Sequence, residues 1–122
     1  MTLSGEHLQQ AARTVAGSLP GVSKGRPFTE ALDVYKVGNK VFLIVTDDPD
    51  ELIITVKTEP DYGGALRREH PTISRGRYLD KTHWVSVGAG PGVSKNLVED
   101  LVNESYWLVH DSLARKEQPE RR

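Results

Sequence analysis

The stretch 32–57 restricts the fold more than any other part of this chain. It holds three short runs, 32–37, 41–46 and 52–57, built largely from Val, Ile, Leu, Phe, Tyr and Thr. These residues suit a pleated, half-buried surface. Only Gly38-Asn39 and Lys40 separate the first run from the second. A two-residue loop of residues that tolerate positive φ is the signature of a tight hairpin. Asp47-Asp48-Pro49-Asp50 then turns the second run into the third. Connections this short join antiparallel neighbours, so the pattern predicts a three-stranded meander.

Helical periodicity brackets the meander. Leu3, Leu8, Ala11, Ala12, Val15 and Leu19 recur at three- and four-residue steps, the apolar stripe of an amphipathic helix. Ser4 supplies a cap, and Leu19-Pro20-Gly21 a stop. Residues 22–30 turn to Gly, Pro, Ser and charge and read as a loop. A second helix is expected from Thr58 as cap, with Pro60 and Asp61 in its first turn, to Glu69 before Pro71. Residues 70–82 read as irregular or briefly extended, and 84–87 as a strand. Ser94 caps a final helix carrying Leu97, Val98, Leu101, Trp107, Leu108 and Val109, expected to run to about Arg115.

The order is α-β(3)-α-β(2)-α, an α+β fold with helices packed on a mainly antiparallel sheet. The expected core is Leu8, Val15, Val34, Phe42, Ile44, Ile53, Val56, Leu66, Trp84, Val87, Leu97, Leu101 and Leu108.

A chain of 122 residues suits a single domain. It is expected over 1–115, with a charged tail over 116–122. Sixteen Lys and Arg against seventeen Asp and Glu give a net charge of −1, which excludes a domain that is basic overall. The absence of cysteine removes disulfides, thiolate zinc sites and a Cys nucleophile, and suits a reducing cytoplasm. The apolar run 41–45 is far shorter than the roughly 20 residues that span a bilayer. Glu6, His7, Gln9, Gln10 and Arg13 interrupt the segment where a secretory signal would be apolar. A cytoplasmic protein without a membrane partner is expected.

Motifs for bound groups fail on spacing. Gly88-Ala89-Gly90-Pro91-Gly92 has Val93 where the dinucleotide fingerprint needs glycine. A phosphate-binding loop needs Gly-Lys-Ser or Gly-Lys-Thr, whereas Ser94 here precedes Lys95. The segment reads as a connector. No two of His7, His70, His83 and His110 lie three or four residues apart, so no helix face offers paired imidazoles to a metal. The run Asp47, Asp48, Asp50 and Glu51 would need Gly at 52 and Glu at 58 to form a calcium loop, and has Leu52 and Thr58. Ser-x-x-Lys does not occur, and no Gly-x-Ser-x-Gly stands out as a nucleophile turn: Ser23-Lys24, within Gly21-Val22-Ser23-Lys24-Gly25, read as ordinary loop residues. No enzymatic activity, cofactor or metal is expected.

Charge is distributed unevenly. Asp47, Asp48, Asp50, Glu51, Glu59 and Asp61 face Lys57 alone within 46–61. Within 66–83, Arg67, Arg68, Arg75, Arg77 and Lys81 outnumber Glu69 and Asp80. Tyr78 and Trp84 interleave with that basic stretch. Cations beside aromatic rings combine phosphate attraction with base stacking; the plainer alternative is a solvated loop.

Four stretches together resemble one family. They are Leu19-Pro20-Gly21-Val22 followed by Pro27-Phe28; the hairpin from Val34 to Phe42; His70-Pro71 leading through Gly76 to Lys81-Thr82-His83-Trp84; and Asn103-Glu104-Ser105-Tyr106 with Val109. Their order and spacing are similar to the MmcQ/YjbR family of small bacterial proteins, over about 8–113. The resemblance implies a fold like that of frataxin (CyaY-like) and of secretion chaperones, a DNA-binding role, and no catalysis. Many members carry Pro-Gly-Tyr-His-Met-Asn-Lys where this chain has Arg75-Gly76-Arg77-Tyr78-Leu79-Asp80-Lys81. Only Gly76 and Lys81 are kept, so no role of the family's His or Asn carries over.

The expectation is a monomeric, non-enzymatic binding module. Its candidate nucleic-acid residues are Arg75, Arg77, Tyr78, Lys81, His83 and Trp84. The alternative is a protein-interaction adaptor that takes a partner on a chaperone-like sheet surface. Iron handling by analogy with frataxin would call for an acidic first helix, where Glu6 is the one acid within 4–18.

Overall fold

In the computed structural model, which describes residues 3–27, 30–76 and 79–113, the predicted hairpin closes on Gly38 and Asn39. Their φ angles are 55° and 65°, and Val37 pairs with Lys40 across them. The turn is built from the two residue types that enter the left-handed region at least cost.

The elements are α1 (Gly5–Ser18), β1 (Val22–Gly25), β2 (Leu32–Val37), β3 (Lys40–Thr46), β4 (Ile53–Lys57), α2 (Pro60–Glu69), β5 (Ile73–Arg75), β6 (Trp84–Gly88) and α3 (Lys95–Ser112). The strands form one six-stranded sheet in the order β1-β2-β3-β4-β6-β5, with every neighbouring pair antiparallel. This is the expected α+β order, and its meander begins one strand early. Val22–Gly25, read from sequence as loop, runs against β2 from Val22↔Val37 to Gly25↔Val34.

Alternation along the strands sorts side chains to two faces. Tyr35, Leu43, Val45, Ile54, Val56, Val85 and Val87 point to the helical side. There they join Leu8, Ala11, Ala12 and Ala16 of α1 and Val98, Leu101, Val102 and Tyr106 of α3 in one core. Leu66 of α2 belongs to the same core. Leu32, Val34 and Ile44 form a smaller cluster on the other face, with Val41 and Leu79 packed against it. Thr55 and Ser86 are buried on that face and bond to each other at 2.8 Å.

Caps behave as expected at two of three helices. Ser4 and Ser94 accept from the His7 and Leu97 amides, each at 3.1 Å. Thr58 does not cap α2. Glu59 holds that position without a side-chain bond, while the Thr58 amide donates to the His83 carbonyl at 2.8 Å. Of the expected core, Val15, Ile53, Trp84, Leu97 and Leu108 are only partly buried. At the start of the β6–α3 connector, Thr72 bonds the Gly88 carbonyl through its hydroxyl and accepts the Gly88 amide at its own carbonyl. Val93 is buried. No helix among the described residues is long and apolar enough to cross a membrane. The expected tail 116–122 lies outside the described residues.

Candidate functional site

A splay between two central strands builds the site. The β3–β4 register ends at Leu43↔Val56, and β2–β3 is irregular between Tyr35 and Lys36. Phe42 and Lys57, next in line, do not pair with each other; the hydroxyl of Ser105 on α3 stands in. It accepts the Lys57 amide at 2.8 Å and donates to the Phe42 carbonyl at 2.6 Å. Ser105 is fully buried, so both backbone groups depend on it. Ser105→Ala orphans them and is expected to cost about 2 kcal/mol, read as a lowered urea midpoint with an unchanged m-value.

Beyond the splay lies a groove of about 380 Å³ whose described lining is Lys40, Val41, Lys57, Leu79, Trp84, Val109 and Ser112. Lys57 and Trp84 are direct cross-strand partners, and alternation places both on the face away from the helical core. Val41 forms part of the floor, and Lys36 sits opposite it on β2. A second hollow, of about 430 Å³, lies over β1 and β2 and is lined among others by Ser23, Val34, Lys36 and Asn39; Lys24 and Arg26 at its rim are engaged with Asp33. None of the described lining residues in either hollow is acidic.

The cations differ in availability. Arg13 and Arg26 bind Asp33 at 2.5 and 2.7 Å, and Arg26 also reaches Asp47 at 2.9 Å. Lys36, Lys40, Lys57 and Lys81 form no ion pair with the described residues. Two groups of acids lie elsewhere. Asp47, Asp48, Asp50 and Glu51 follow β3 at the sheet end opposite the hairpin. On the helical side, burial together with the charges of Glu59 and Asp100 pushes the Glu104 carboxyl above its ordinary value.

The turn before Trp84 is organised by Asp80. Its carboxylate accepts the Thr82 amide at 2.8 Å and meets His83 Nδ1 at 2.7 Å. The His83 bond, then the Thr82 amide, hold Asp80 below the ordinary carboxylate range. Gly76 closes the other side: its amide donates to the Trp84 carbonyl at 2.8 Å. A Cβ at Gly76 would lie 2.5 Å from the Trp84 Cβ and 3.0 Å from its carbonyl carbon. That close approach explains physically why a glycine belongs here.

The six sequence candidates therefore separate. Trp84 lies in the groove, half-buried, and Lys81 is exposed in the turn leading to it. His83 is engaged with Asp80. Arg75 pairs with Val85 and alternates with buried Ile73, which puts it on the helical side, away from Trp84. Arg77 and Tyr78 lie outside the described residues. Among the described residues, no group of three or more His, Asp and Glu comes together as a metal site.

Comparison with known proteins places this geometry. The family model YjbR matches residues 17–108. The chain belongs to the YjbR family. This YjbR domain is 34% identical over 113 residues to the uncharacterised protein YbdF of Escherichia coli O157:H7, covering 93% of each chain. It is 28% identical over 71 residues to the uncharacterised protein YjbR of Escherichia coli K12, covering 58% of this chain and 60% of that one. The crystal structure of DR2400 from Deinococcus radiodurans superposes with a TM-score of 0.79 at 32% identity, over 86% of this chain and 80% of the other. A Pseudomonas syringae structure at 21% identity and TM-score 0.61, covering 72% and 86%, shares the fold.

The part of the YjbR domain matched by the family model contains Lys40, Lys57, Gly76, Lys81 and Trp84. Sequence reasoning missed Lys36, Lys40, Lys57 and Ser105. A signal existed for two of them, since Lys36 and Lys40 flank the Gly38-Asn39 turn and must lie near one sheet end. Lys57 and Ser105 carried none, because strand register and helix packing bring them in.

Proposed function

We propose that this YjbR domain is a non-enzymatic nucleic-acid-binding module acting in the cytoplasm, with the sheet-face groove at Trp84 as its binding surface. The observation carrying this reading is the position of Lys40 and Lys57 beside a half-buried Trp84 in a groove whose described lining holds no carboxylate. Lys40, Lys57, Lys36 and Lys81 attract phosphate, and the indole offers a stacking face. The net charge of −1 does not oppose this, because fields at the surface follow local charge, and Asp80, the acid in the turn before Trp84, is engaged by His83 and the Thr82 amide.

The adaptor reading calls for an exposed apolar patch of several hundred Å². Among the described residues Tyr62, 36% exposed, is the one exposed large hydrophobic, and Glu69, Asp100 and Glu104 surround it with negative charge.

Fluorescence anisotropy with a labelled DNA oligonucleotide at low salt, offered in single- and double-stranded form, tests the proposal. Binding of at least one form is expected, falling with salt at a log–log slope of about −2 to −4 for three or four phosphates neutralised. Lys40→Glu/Lys57→Glu is expected to weaken it at least tenfold. No binding by the wild-type protein, or undiminished binding by the double variant, refutes this function.

A further inference from the structure

Resting on the nucleic-acid reading above, we infer that the ligand is single-stranded, with an unstacked base entering the groove against Trp84 and the strand running along the sheet face toward β1. Shape carries the inference first. Lys40 and Lys57, which form no ion pair with the described residues, line a concavity, whereas reading a duplex requires a protruding helix or ribbon that enters a groove of the DNA. The long helix α3 offers no such element: its exposed and half-exposed charges include Glu99, Asp100, Glu104 and Asp111 alongside Lys95. A half-buried indole lining a groove is reachable only by a base that has left its stack.

The second hollow gives the strand a path. Lys36 lines it and sits opposite Val41 of the Trp84 groove, while Asn39 of one hollow adjoins Lys40 of the other. Lys36 of that hollow is thus followed by Lys40 and Lys57 of the groove, whereas Lys24 turns to Tyr35 and Asp33 on the helical side. Such a track beside one aromatic platform matches the sequence-tolerant mode of single-strand binding, in which phosphates follow a basic groove and bases stack.

The experiment uses the full chain in a Trp107→Phe background, so that emission reports Trp84 alone, with circular dichroism confirming the fold. The probes are an oligothymidine of about ten nucleotides and the matching duplex at equal salt. Expected results are at least tenfold tighter binding of the single strand, quenching of Trp84 emission by it, and a loss of about tenfold or more in Trp84→Ala. Trp84→Phe, which keeps a stacking face, is expected to retain most of the affinity and serves if the alanine variant fails to fold. Equal or tighter duplex binding overturns the inference while leaving the nucleic-acid reading intact, as does single-strand binding without a change in Trp84 emission. Failure of both probes to bind removes both.

Discussion

Tyr106→Ala is expected to lower stability by about 3–5 kcal/mol, in the range of large aromatic truncations in a core. Tyr106 is fully buried. Its ring meets Phe42 edge-on at 5.3 Å and Trp107 at 4.8 Å between centroids. The hydroxyl donates to the Pro20 carbonyl at 2.5 Å, which ties α3 to the turn between α1 and β1. Truncation thus opens a cavity between helix and sheet and frees that carbonyl at once. Chemical denaturation reads the loss as a lower midpoint, and a melt as a drop of roughly 10–20 °C. Tyr106→Phe keeps the ring and loses the bond to Pro20, at about 1–2 kcal/mol. An alanine variant within 1 kcal/mol of wild type would show that α3 does not press this ring into the core.

The contrast between what the sequence disclosed and what it hid follows the range of the interactions involved. The Gly38-Asn39 hairpin was legible because its causes lie within a few residues of the turn, and the caps at Ser4 and Ser94 for the same reason. β1 was not. Ser23-Lys24-Gly25 has neither apolar alternation nor buried side chains, and only the backbone ladder with β2 makes it a strand. Thr58 shows tertiary structure overriding a local signal. Its amide is taken by His83, and its buried hydroxyl finds no partner among the described residues, although sequence alone gives it the pattern of a cap. The groove is non-local throughout. Lys57 meets Trp84 through the β4–β6 register, and Ser105 reaches Phe42 across 63 residues. Trp84 could be named as a candidate from its basic neighbours in sequence, but the lysines beside it in space come from other strands.

Removing the Asp33 carboxylate is the second substitution expected to be severe. Asp33 is 3% exposed at its side chain and meets Arg13 at 2.5 Å, Arg26 at 2.7 Å and Lys24 at 4.0 Å. It thereby joins α1, β2 and the segment after β1. Burial by itself would raise the Asp33 pKa; the Arg13 hydrogen bond and the charges of Arg13, Lys24 and Arg26 outweigh it and hold the carboxyl below its ordinary value. Asp33→Ala is expected to cost about 3 kcal/mol near neutral pH, at the lower end of the roughly 3–5 kcal/mol for a broken buried pair. The cations left behind are part-exposed, Arg13 at 25% and Arg26 at 43%, and can regain water. The sign with pH follows from the depressed value. Asp33 binds its proton more weakly folded than unfolded, so its contribution is fully present above the unfolded pKa of about 3.9 and is lost as pH falls through the lower folded value. Urea midpoints from pH 7 down to pH 3 should therefore show a constant gap between wild type and Asp33→Ala above about pH 5, narrowing below about pH 4. A gap that instead widens on acidification would mean that Asp33 folds as a neutral acid, and the three cations around it would then hold α1 to the sheet by some other contact.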